Sequence, residues 1–283
     1  NMCILVLQQQ TVCYGSQVGV LNTPFDQNKV NTWLATDNPA YLTGSSIPGV
    51  SGDITSVAKN IWSICVTITN GEIYCAGENK YGQLGDGTTI RRTTPINVTN
   101  LSQFGKPVAI DAGTMKTCII TENRTVVCWG YNGDGRLGNG NTTGVLSPQA
   151  SYAVNLSKPA VAISGNCALL NDGYVRCWGP GGGGQLGDGS KTSSLTPVNV
   201  TGIPVGRTVT SISSWYSHTC AILDNKSAVC WGANSLGQIG DGTDGQNGDA
   251  TNSSKSVATP VNFSGSTGSW FSNYGVSAIS AGG

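Results

Sequence analysis

Short runs rich in Ile, Val, Thr and Tyr recur along the chain and flank apices suited to reversing its direction. The four clearest apices are Thr69-Asn70-Gly71, Glu122-Asn123-Arg124, Asn171-Asp172-Gly173 and Asp224-Asn225-Lys226. Two such runs around a turn sequence are typical of a β-hairpin. The pattern therefore predicts a hairpin at each apex.

Every cysteine belongs to a couple with nine residues between its members. The couples are Cys3 and Cys13, Cys65 and Cys75, Cys118 and Cys128, Cys167 and Cys177, and Cys220 and Cys230. In a hairpin centred on the middle residue, the two cysteines face each other at a separation that a disulfide accepts. We therefore predict five disulfides within hairpins. The alternative is reduced, buried cysteine that packs as a small hydrophobe.

Two further extended runs accompany each hairpin. An alternating, mostly small-apolar run precedes the couple, as in Val108-Ala109-Ile110, Val161-Ala162-Ile163 and Val209-Thr210-Ser211-Ile212. A proline-containing run follows it, as in Thr94-Pro95-Ile96, Thr196-Pro197-Val198 and Thr259-Pro260-Val261. Proline suits an edge strand, which can spare an amide donor. Each unit is thus predicted to hold four short strands.

A glycine-rich block follows the second cysteine of each couple. Cys128-Trp129-Gly130-Tyr131-Asn132 leads to Arg136-Leu137-Gly138-Asn139-Gly140, and Cys230-Trp231-Gly232-Ala233-Asn234 leads to Gln238-Ile239-Gly240-Asp241-Gly242. The units at Cys65 and Cys167 carry Gly-Gln-Leu-Gly-Asp-Gly at 82–87 and 184–189, whereas the unit at Cys3 is degenerate. A unit of about 50 residues is the period of a propeller blade.

These blocks, with the Ser217-His218-Thr219-Cys220-Ala221 strand ahead of them, resemble the repeat of the regulator of chromosome condensation family. The resemblance covers nearly the whole chain and implies a β-propeller of four-stranded blades, usually seven. Here we count five units, beginning near Cys3, Cys65, Cys118, Cys167 and Cys220. We therefore expect an all-β, β-propeller-like array of five repeat units with one disulfide each, forming a single domain over residues 1–283. Trp129, Trp178 and Trp231 are predicted to fill the space between blades.

The phase of the repeat is a second clue. Residues 276–283 match the strand that precedes a cysteine couple, whereas Cys3 follows no such strand. We expect residues 276–283 to complete the first unit, either within one molecule, which closes a ring, or in a neighbouring molecule, which builds a fibre. The chain begins at Asn1 without a signal peptide, so we treat it as a processed or excerpted form.

Composition narrows the functional classes. Charged residues are 11 % and the formal net charge is zero, which gives no support to a basic nucleic-acid face. No apolar run approaches the roughly 20 residues of a membrane span. Disulfides persist outside the reducing cytosol, so we expect an extracellular or cell-surface protein.

Asn-x-Ser/Thr sequons are candidates for a rim of glycans, although Asn also favours turns and polar strand faces. The nine are at Asn97, Asn100, Asn123, Asn141, Asn155, Asn199, Asn225, Asn252 and Asn262.

Candidate chemistry is sparse. Asp86, Asp188 and Asp241 share one repeat position, but their spacing lacks the order of a calcium loop, so turn formation is the favoured role. His218 is the only histidine, and Lys116 takes its place in the aligned unit. A structural role for His218 is therefore favoured over catalysis. We expect no cofactor and no metal.

Three functional classes follow. The leading hypothesis is a non-catalytic extracellular structural protein, a subunit or period of a fibre or surface assembly that associates through its terminal strands. The alternative is a secreted monomeric propeller that binds a protein or glycan through loops at the blade ends. An enzyme is the least supported class, because no cluster of polar residues breaks the repeat.

Overall fold

Seventeen strands in five antiparallel sheets make up the part of the chain that the structure describes. The computed structural model describes residues 2–6, 10–14, 53–59, 62–113, 115–144, 146, 154–242, 254–262 and 276–281. In each sheet the strands lie in chain order. This is the up-and-down arrangement that the repeat pattern predicts, with one sheet for each cysteine couple.

Four of the sheets are named here as blades. Blade 1 contains β3 (Ile54–Lys59), β4 (Ser63–Ile68), β5 (Ile73–Gly77) and β6 (Arg92–Asn97). Blade 2 contains β7 (Pro107–Ala112), β8 (Lys116–Thr121) and β9 (Val126–Gly130). Blade 3 contains β10 (Ala160–Ser164), β11 (Cys167–Leu170), β12 (Val175–Gly179) and β13 (Ser194–Asn199). Blade 4 contains β14 (Val209–Trp215), β15 (His218–Leu223), β16 (Ala228–Gly232) and β17 (Lys255–Pro260).

The fifth sheet is the hairpin of the first cysteine couple, β1 (Met2–Val6) and β2 (Gln10–Tyr14). A short 3₁₀ turn, Ser102–Phe104, precedes blade 2. Residues 147–153, where a fourth strand of blade 2 is expected, lie outside the described part.

Proline occupies the edges of the blades. Pro95, Pro197 and Pro260 lie in β6, β13 and β17, each of which pairs with a single neighbouring strand of its sheet. An edge strand needs only one side of its hydrogen-bonding capacity, so the missing proline N–H is tolerated there. The predicted outermost strand of the unit is confirmed.

Each cysteine couple is a register pair across the middle of its blade. Disulfides join Cys65–Cys75, Cys118–Cys128, Cys167–Cys177 and Cys220–Cys230, with Cα atoms 4.1, 4.1, 4.1 and 4.0 Å apart. The four local pairings are therefore confirmed. Cys3 and Cys13 are register partners in the β1–β2 hairpin, but their side chains lie outside the described residues.

Removing one of these disulfides should lower stability by a moderate amount. For Cys118→Ala with Cys128→Ala, we expect the free energy of unfolding to fall by about 2–3 kcal/mol, because the closed loop constrains the unfolded chain. Urea denaturation of the variant and the parent measures the difference. A loss below about 0.5 kcal/mol would contradict a stabilising role for this disulfide.

Tryptophan joins each blade to the one before it. The indole N–H groups of Trp129, Trp178 and Trp231 donate to the carbonyl oxygens of Gln83, Arg136 and Gln185, at 3.1, 2.8 and 3.1 Å. All three side chains are fully buried. Each acceptor lies in the glycine-rich loop of the preceding blade, so the Trp and the glycine loop of one unit serve two different interfaces.

The glycine loops are shaped to receive these indole rings. A Cβ at Gly85 would lie 2.6 Å from Nε1 of Trp129, and one at Gly138 would lie 2.8 Å from Cδ1 of Trp178. Only a residue without a side chain permits this approach. The repeated Gly after Leu84 and Leu137 is therefore explained by packing between blades.

A buried asparagine organises the same loops from inside. The Oδ1 atoms of Asn79, Asn132 and Asn234 each accept a hydrogen bond of 2.9 Å, from the backbone N–H groups of Leu84, Leu137 and Ile239. All three asparagines are fully buried. In blade 3 the aligned residue is Gly181 instead of asparagine. Its N–H donates to Oγ of Ser193.

Residues 276–281, called the terminal segment below, pack against blade 4 rather than forming a strand in the described part of the chain. The N–H of Val276 donates to the carbonyl of Lys226 at 2.8 Å, and the N–H of Ala281 donates to Oγ of Ser213 at 2.9 Å. Ile279 contacts the cluster of Cys220, Cys230 and Ile239. The prediction that residues 276–283 complete the first unit stays a prediction.

Candidate functional site

A cavity of about 160 Å³ lies at the end of the blades where the first and second strands are joined. All four blades contribute to its wall. Its lining includes Lys59 of blade 1, Lys116 of blade 2, Gly165 of blade 3 and Tyr216 of blade 4. These residues lie at or next to the turn between the first and second strands of their blades. The repeat therefore brings the four equivalent turns together around one cavity.

The most polar part of the wall is built from blades 2 and 3. The Lys116 side chain is only 2 % exposed, and its Nζ donates to the carbonyl of Gly165 at 2.8 Å and to Sγ of Cys118 at 3.0 Å. The Asp111 carboxyl accepts a hydrogen bond from the backbone N–H of Gly165. Both side chains therefore hydrogen-bond to the backbone of Gly165 in blade 3, Lys116 to its carbonyl oxygen and Asp111 to its N–H.

One atom of this arrangement is left unsatisfied. Oδ2 of Asp111 is buried and has no hydrogen-bond partner among the described residues. A buried polar atom without a partner costs about 1–3 kcal/mol. Such atoms are rare in folded proteins, so this one calls for an explanation.

Burial moves the protonation equilibria of both groups. It lowers the pKa of Lys116 from 10.5 to about 8, against the opposing effect of the Asp111 carboxylate. Burial also raises the pKa of Asp111, with Lys116 and the Gly165 N–H opposing that rise. Each charge is disfavoured by desolvation and partly compensated by the other group.

Lys116 should make stability rise with pH on the alkaline side. The pKa of Lys116 is about 8 in the folded protein, below the ordinary lysine value of 10.5 that applies to the unfolded chain. Between these two pH values the unfolded chain therefore binds more protons than the folded protein does. The cost of burying the charge is fully present below pH 8 and is lost towards pH 10.5. Over this pH range the free energy of unfolding should rise by about 3 kcal/mol.

Denaturant unfolding of the wild type, Lys116→Met and the exposed control Lys158→Met at several pH values from 7 to 10.5 tests this expectation. The wild type and Lys158→Met should both gain stability relative to Lys116→Met across the window. Parallel curves for all three proteins would contradict the assignment of the titration to Lys116.

Further basic groups surround the pair. Arg136 lines the cavity and its Nε lies 2.8 Å from Oδ2 of Asp134, while burial lowers the pKa of Lys59. His218 is 7 % exposed, and burial lowers its pKa, so its ring is held towards the neutral form. Among the described lining residues the basic side chains thus outnumber the single carboxylate of Asp111.

An aromatic side chain stands at the mouth. Tyr216 is 85 % exposed and has a φ of +49°. It occupies the two-residue turn between β14 and β15, where Trp215 and His218 are register partners. A non-glycine residue with positive φ is uncommon and mildly strained. The ring is therefore exposed on a turn whose backbone conformation is uncommon for a residue with a side chain.

The residues singled out from the sequence occupy different places. His218, Trp178 and Cys167 contribute to the cavity wall. The sequon asparagines in the described part are all exposed and lie away from the lining, at positions 97, 100, 123, 141, 155, 199, 225 and 262. Asn252 lies outside the described residues. Their glycosylation stays a prediction.

The shared acidic residues belong to the glycine loops. Asp86 accepts hydrogen bonds from Asn79 and Thr88 and pairs with Arg92, and Asp188 accepts from Ser190. Asp241 pairs with Lys255 at 2.8 Å. These contacts account for the carboxylates by local loop formation, as their positions at turns suggested. The part of the long loop from 243 to 250 lies outside the description.

Sequence reasoning missed Asp111, Lys116 and Tyr216 as members of one site. A signal for one of them was available, because Lys116 replaces the histidine of the aligned strand. Asp111 and Tyr216 carry no such mark, since each stands in an ordinary strand or turn sequence.

Two models of one known repeat family match parts of the chain. The model of the "Regulator of chromosome condensation (RCC1) repeat" matches residues 70–120 and 172–222, and a second model of the same repeat matches 209–238. The chain contains RCC1 repeats. The expected resemblance is confirmed, and the two longer matched segments each run from the turn of one cysteine hairpin into the first strand of the next hairpin.

Relatives of this RCC1-repeat chain are found in animals and plants. It is 30 % identical over 185 residues to the E3 ubiquitin-protein ligase HERC2 of Homo sapiens, covering 64 % of this chain and 4 % of HERC2. It is 27 % identical over 193 residues to the ultraviolet-B receptor UVR8 of Arabidopsis thaliana, covering 67 % of this chain and 43 % of UVR8. The chain thus spans less than half the length of these relatives.

Solved structures support the same fold. Human WBSCR16 superposes with a TM-score of 0.67 at 18 % identity, over 78 % of this chain and 56 % of that protein. Yeast RCC1 (Prp20), solved bound to Kap60, superposes with a TM-score of 0.67 at 19 % identity, over 85 % of this chain and 55 % of that protein. At this identity the likeness establishes the β-propeller fold alone.

Two observations concern the surroundings of this RCC1-repeat protein. Within the described residues, no helix has the length and apolar character that crossing a bilayer requires. The four described disulfides are typical of an oxidising compartment.

Proposed function

We propose that this chain is a non-catalytic, extracellular binding propeller whose ligand docks on the blade end that carries the cavity. The observation behind the proposal is the convergence of inner turns from four blades on one cavity with buried charged groups. Concave sites lined by a few convergent polar groups are the usual place for ligands. Loops on a rigid scaffold are the usual carriers of such sites.

The relatives support binding over catalysis in general terms. Yeast RCC1 is solved in complex with Kap60, and UVR8 is a receptor. HERC2 is a ligase, but the present chain covers only 4 % of it. Propeller folds host many functions, so the proposal depends on the cavity of this chain rather than on the fold.

The extracellular part of the proposal is supported by the disulfides. Each of the four blades contains one disulfide, with Cα atoms 4.0 or 4.1 Å apart. Such bonds persist in compartments where thiols are not kept reduced. Eight exposed sequon asparagines are compatible with passage through a glycosylating pathway.

Fluorescently labelled wild type, Tyr216→Ala and Tyr174→Ala, applied to arrays of glycans and of peptides, test the binding proposal. Tyr174 is a matched control because it is also exposed but lies at the β11–β12 turn, at the other end of blade 3. We expect a ligand class that binds wild type and Tyr174→Ala and loses Tyr216→Ala. No binding, or binding unaffected by Tyr216→Ala, would overturn the proposed face.

A second candidate function, subunit of an extracellular assembly, is favoured by the terminal segment. Its bond from Val276 to Lys226 repeats the bonds from Ala160 to Arg124 and from Val209 to Gly173. Its bond from Ala281 to Oγ of Ser213 repeats that from Ser214 to Oγ of Ser164. The terminal segment thus contacts blade 4 as the first strand of a following blade would.

For this second candidate we propose that the β1–β2 hairpin pairs with the terminal segment of a neighbouring molecule, whereas pairing within one molecule would close a ring and give discrete particles. Val276→Pro removes the donor to Lys226, whereas Val257→Pro on edge strand β17 is a matched control. Electron microscopy and size-exclusion chromatography should show filaments or oligomers for the wild type and the control, and discrete particles for Val276→Pro. Discrete particles for all three proteins would exclude the assembly.

A further inference from the structure

The cavity presents three different recognition elements close together. They are an acceptor, the unsatisfied Oδ2 of Asp111, a set of cations at Lys116 and Arg136, and the exposed ring of Tyr216. Each element restricts the chemistry of a ligand in its own way, and the three restrictions are independent.

The acceptor requires a donor. Asp111 already accepts the Gly165 N–H, and Oδ2 has no further partner among the described residues. A ligand hydroxyl or N–H directed at Oδ2 would satisfy it, whereas a ligand carboxylate would meet a like charge there. A ligand that offers only negative charge is therefore disfavoured at this side of the cavity.

The cations require an acceptor, preferably an anionic one. The ammonium group of Lys116 has three N–H bonds, and its two contacts in the described structure, to Gly165 and Cys118, use two of them. The third N–H has no partner among the described residues. A carboxylate placed between Lys116 and Arg136, whose Nε already pairs with Asp134, would form charge-assisted hydrogen bonds and offset the desolvation of the buried ammonium.

The aromatic ring supplies an apolar platform. Tyr216 is 85 % exposed at the rim of the same cavity, and Trp215 next to it is half-buried in the wall. Aromatic rings with a polar tip suit ligands that have both an apolar face and polar edges. A pyranose ring has such a face on its C–H side, whereas an extended acidic side chain does not.

We infer that the cavity binds an acidic saccharide residue, with a ring hydroxyl on Asp111, the sugar carboxylate between Lys116 and Arg136, and the pyranose face on Tyr216. The inference rests on the proposed function and specifies its ligand class. An acidic peptide satisfies the cations and offers backbone N–H groups to Asp111, but its extended side chains present no ring face to Tyr216. A neutral sugar satisfies Asp111 and Tyr216 but not the cations. Of these three ligand classes, only an acidic sugar uses all three elements.

Titration of the folded protein with glucuronate, glucose and triglutamate, followed by NMR or calorimetry, tests the inference. Glucuronate and glucose are a matched pair that differ in one carboxylate. We expect glucuronate to bind at least about tenfold more tightly than glucose, and triglutamate to bind no better than glucose, because a factor of ten is the loss of one modest polar contact.

Variants assign the contacts. Asp111→Asn and Lys116→Met should each weaken glucuronate binding by about tenfold or more, and Tyr216→Ala should weaken glucuronate and glucose alike. The exposed controls Asp172→Asn, Lys158→Met and Tyr174→Ala should leave binding unchanged. Thermal unfolding of each variant verifies that it is folded, and Tyr216→Ala serves as the second test if a buried variant does not fold.

The outcomes separate the two proposals. Failure of glucuronate to bind, or binding that Asp111→Asn and Lys116→Met leave unchanged, overturns the saccharide inference. If triglutamate binds as well as glucuronate, the inference is also overturned in favour of an acidic peptide. In either case a Tyr216-dependent ligand on the arrays would leave the proposed binding face standing, whereas its absence would remove both.

Discussion

Replacement of Trp129 by alanine is expected to lower the free energy of unfolding by about 3–5 kcal/mol, the cost of truncating a large buried aromatic side chain. Trp129 is 0 % exposed, and its Nε1 donates to the Gln83 carbonyl across the interface of blades 1 and 2. The cavity left behind would open against Gly85, which has no side chain to refill it.

Trp62→Ala is the control for this prediction, because Trp62 is 61 % exposed at the turn between β3 and β4. Guanidinium denaturation of both variants should give a change within about 0.5 kcal/mol for Trp62→Ala, the usual size for a surface position. Equal losses for the two variants would mean that the indole between blades has no special role.

The second large effect is expected at Gly232. It has a φ of +109°, and a Cβ there would collide with the carbonyl oxygen of Ser217 and lie 2.7 Å from the Cα of His218. These are backbone atoms of the paired strand, which cannot rotate away. We expect Gly232→Ala to destabilise the protein by about 3–6 kcal/mol, from overpacking and backbone strain together.

Gly206→Ala isolates the contribution of backbone conformation. Gly206 has a similar positive φ of +78°, but a Cβ there has nothing within 4 Å. Its cost should be about 1 kcal/mol, the strain alone. Denaturation midpoints and soluble yield compare the two variants. If Gly206→Ala were as destabilising as Gly232→Ala, steric conflict with the paired strand would not be the cause.

Much of the repeat architecture was predictable because its determinants are local. A disulfide between residues ten apart, such as Cys118 and Cys128, depends only on the geometry of one hairpin. The edge position of Pro197 follows from its missing N–H. The position of Trp129 between blades was predicted, but its partner at Gln83 was not, since 46 residues separate the two.

The candidate site was less predictable. His218 was predicted to have a structural role and to belong to no histidine cluster. It is buried in the described structure, and its role stays a prediction. Nothing in its local sequence indicates that it shares a cavity with Lys59 and Asp111, which lie in the innermost strands of two other blades. Such a grouping depends on the angles at which blades pack, and these angles are set by many long-range contacts.

The amino-acid sequence by itself determined the strands, their order, the cysteine pairs of the described blades and the family, because hairpin register and turn chemistry act over about ten residues. The tertiary structure alone decided that Asp111, Lys116, Arg136 and Tyr216 surround one cavity, and that the terminal segment lies on blade 4. The physical reason is that each of these contacts joins different blades, so it exists only after Trp, glycine loop and strand have packed against one another.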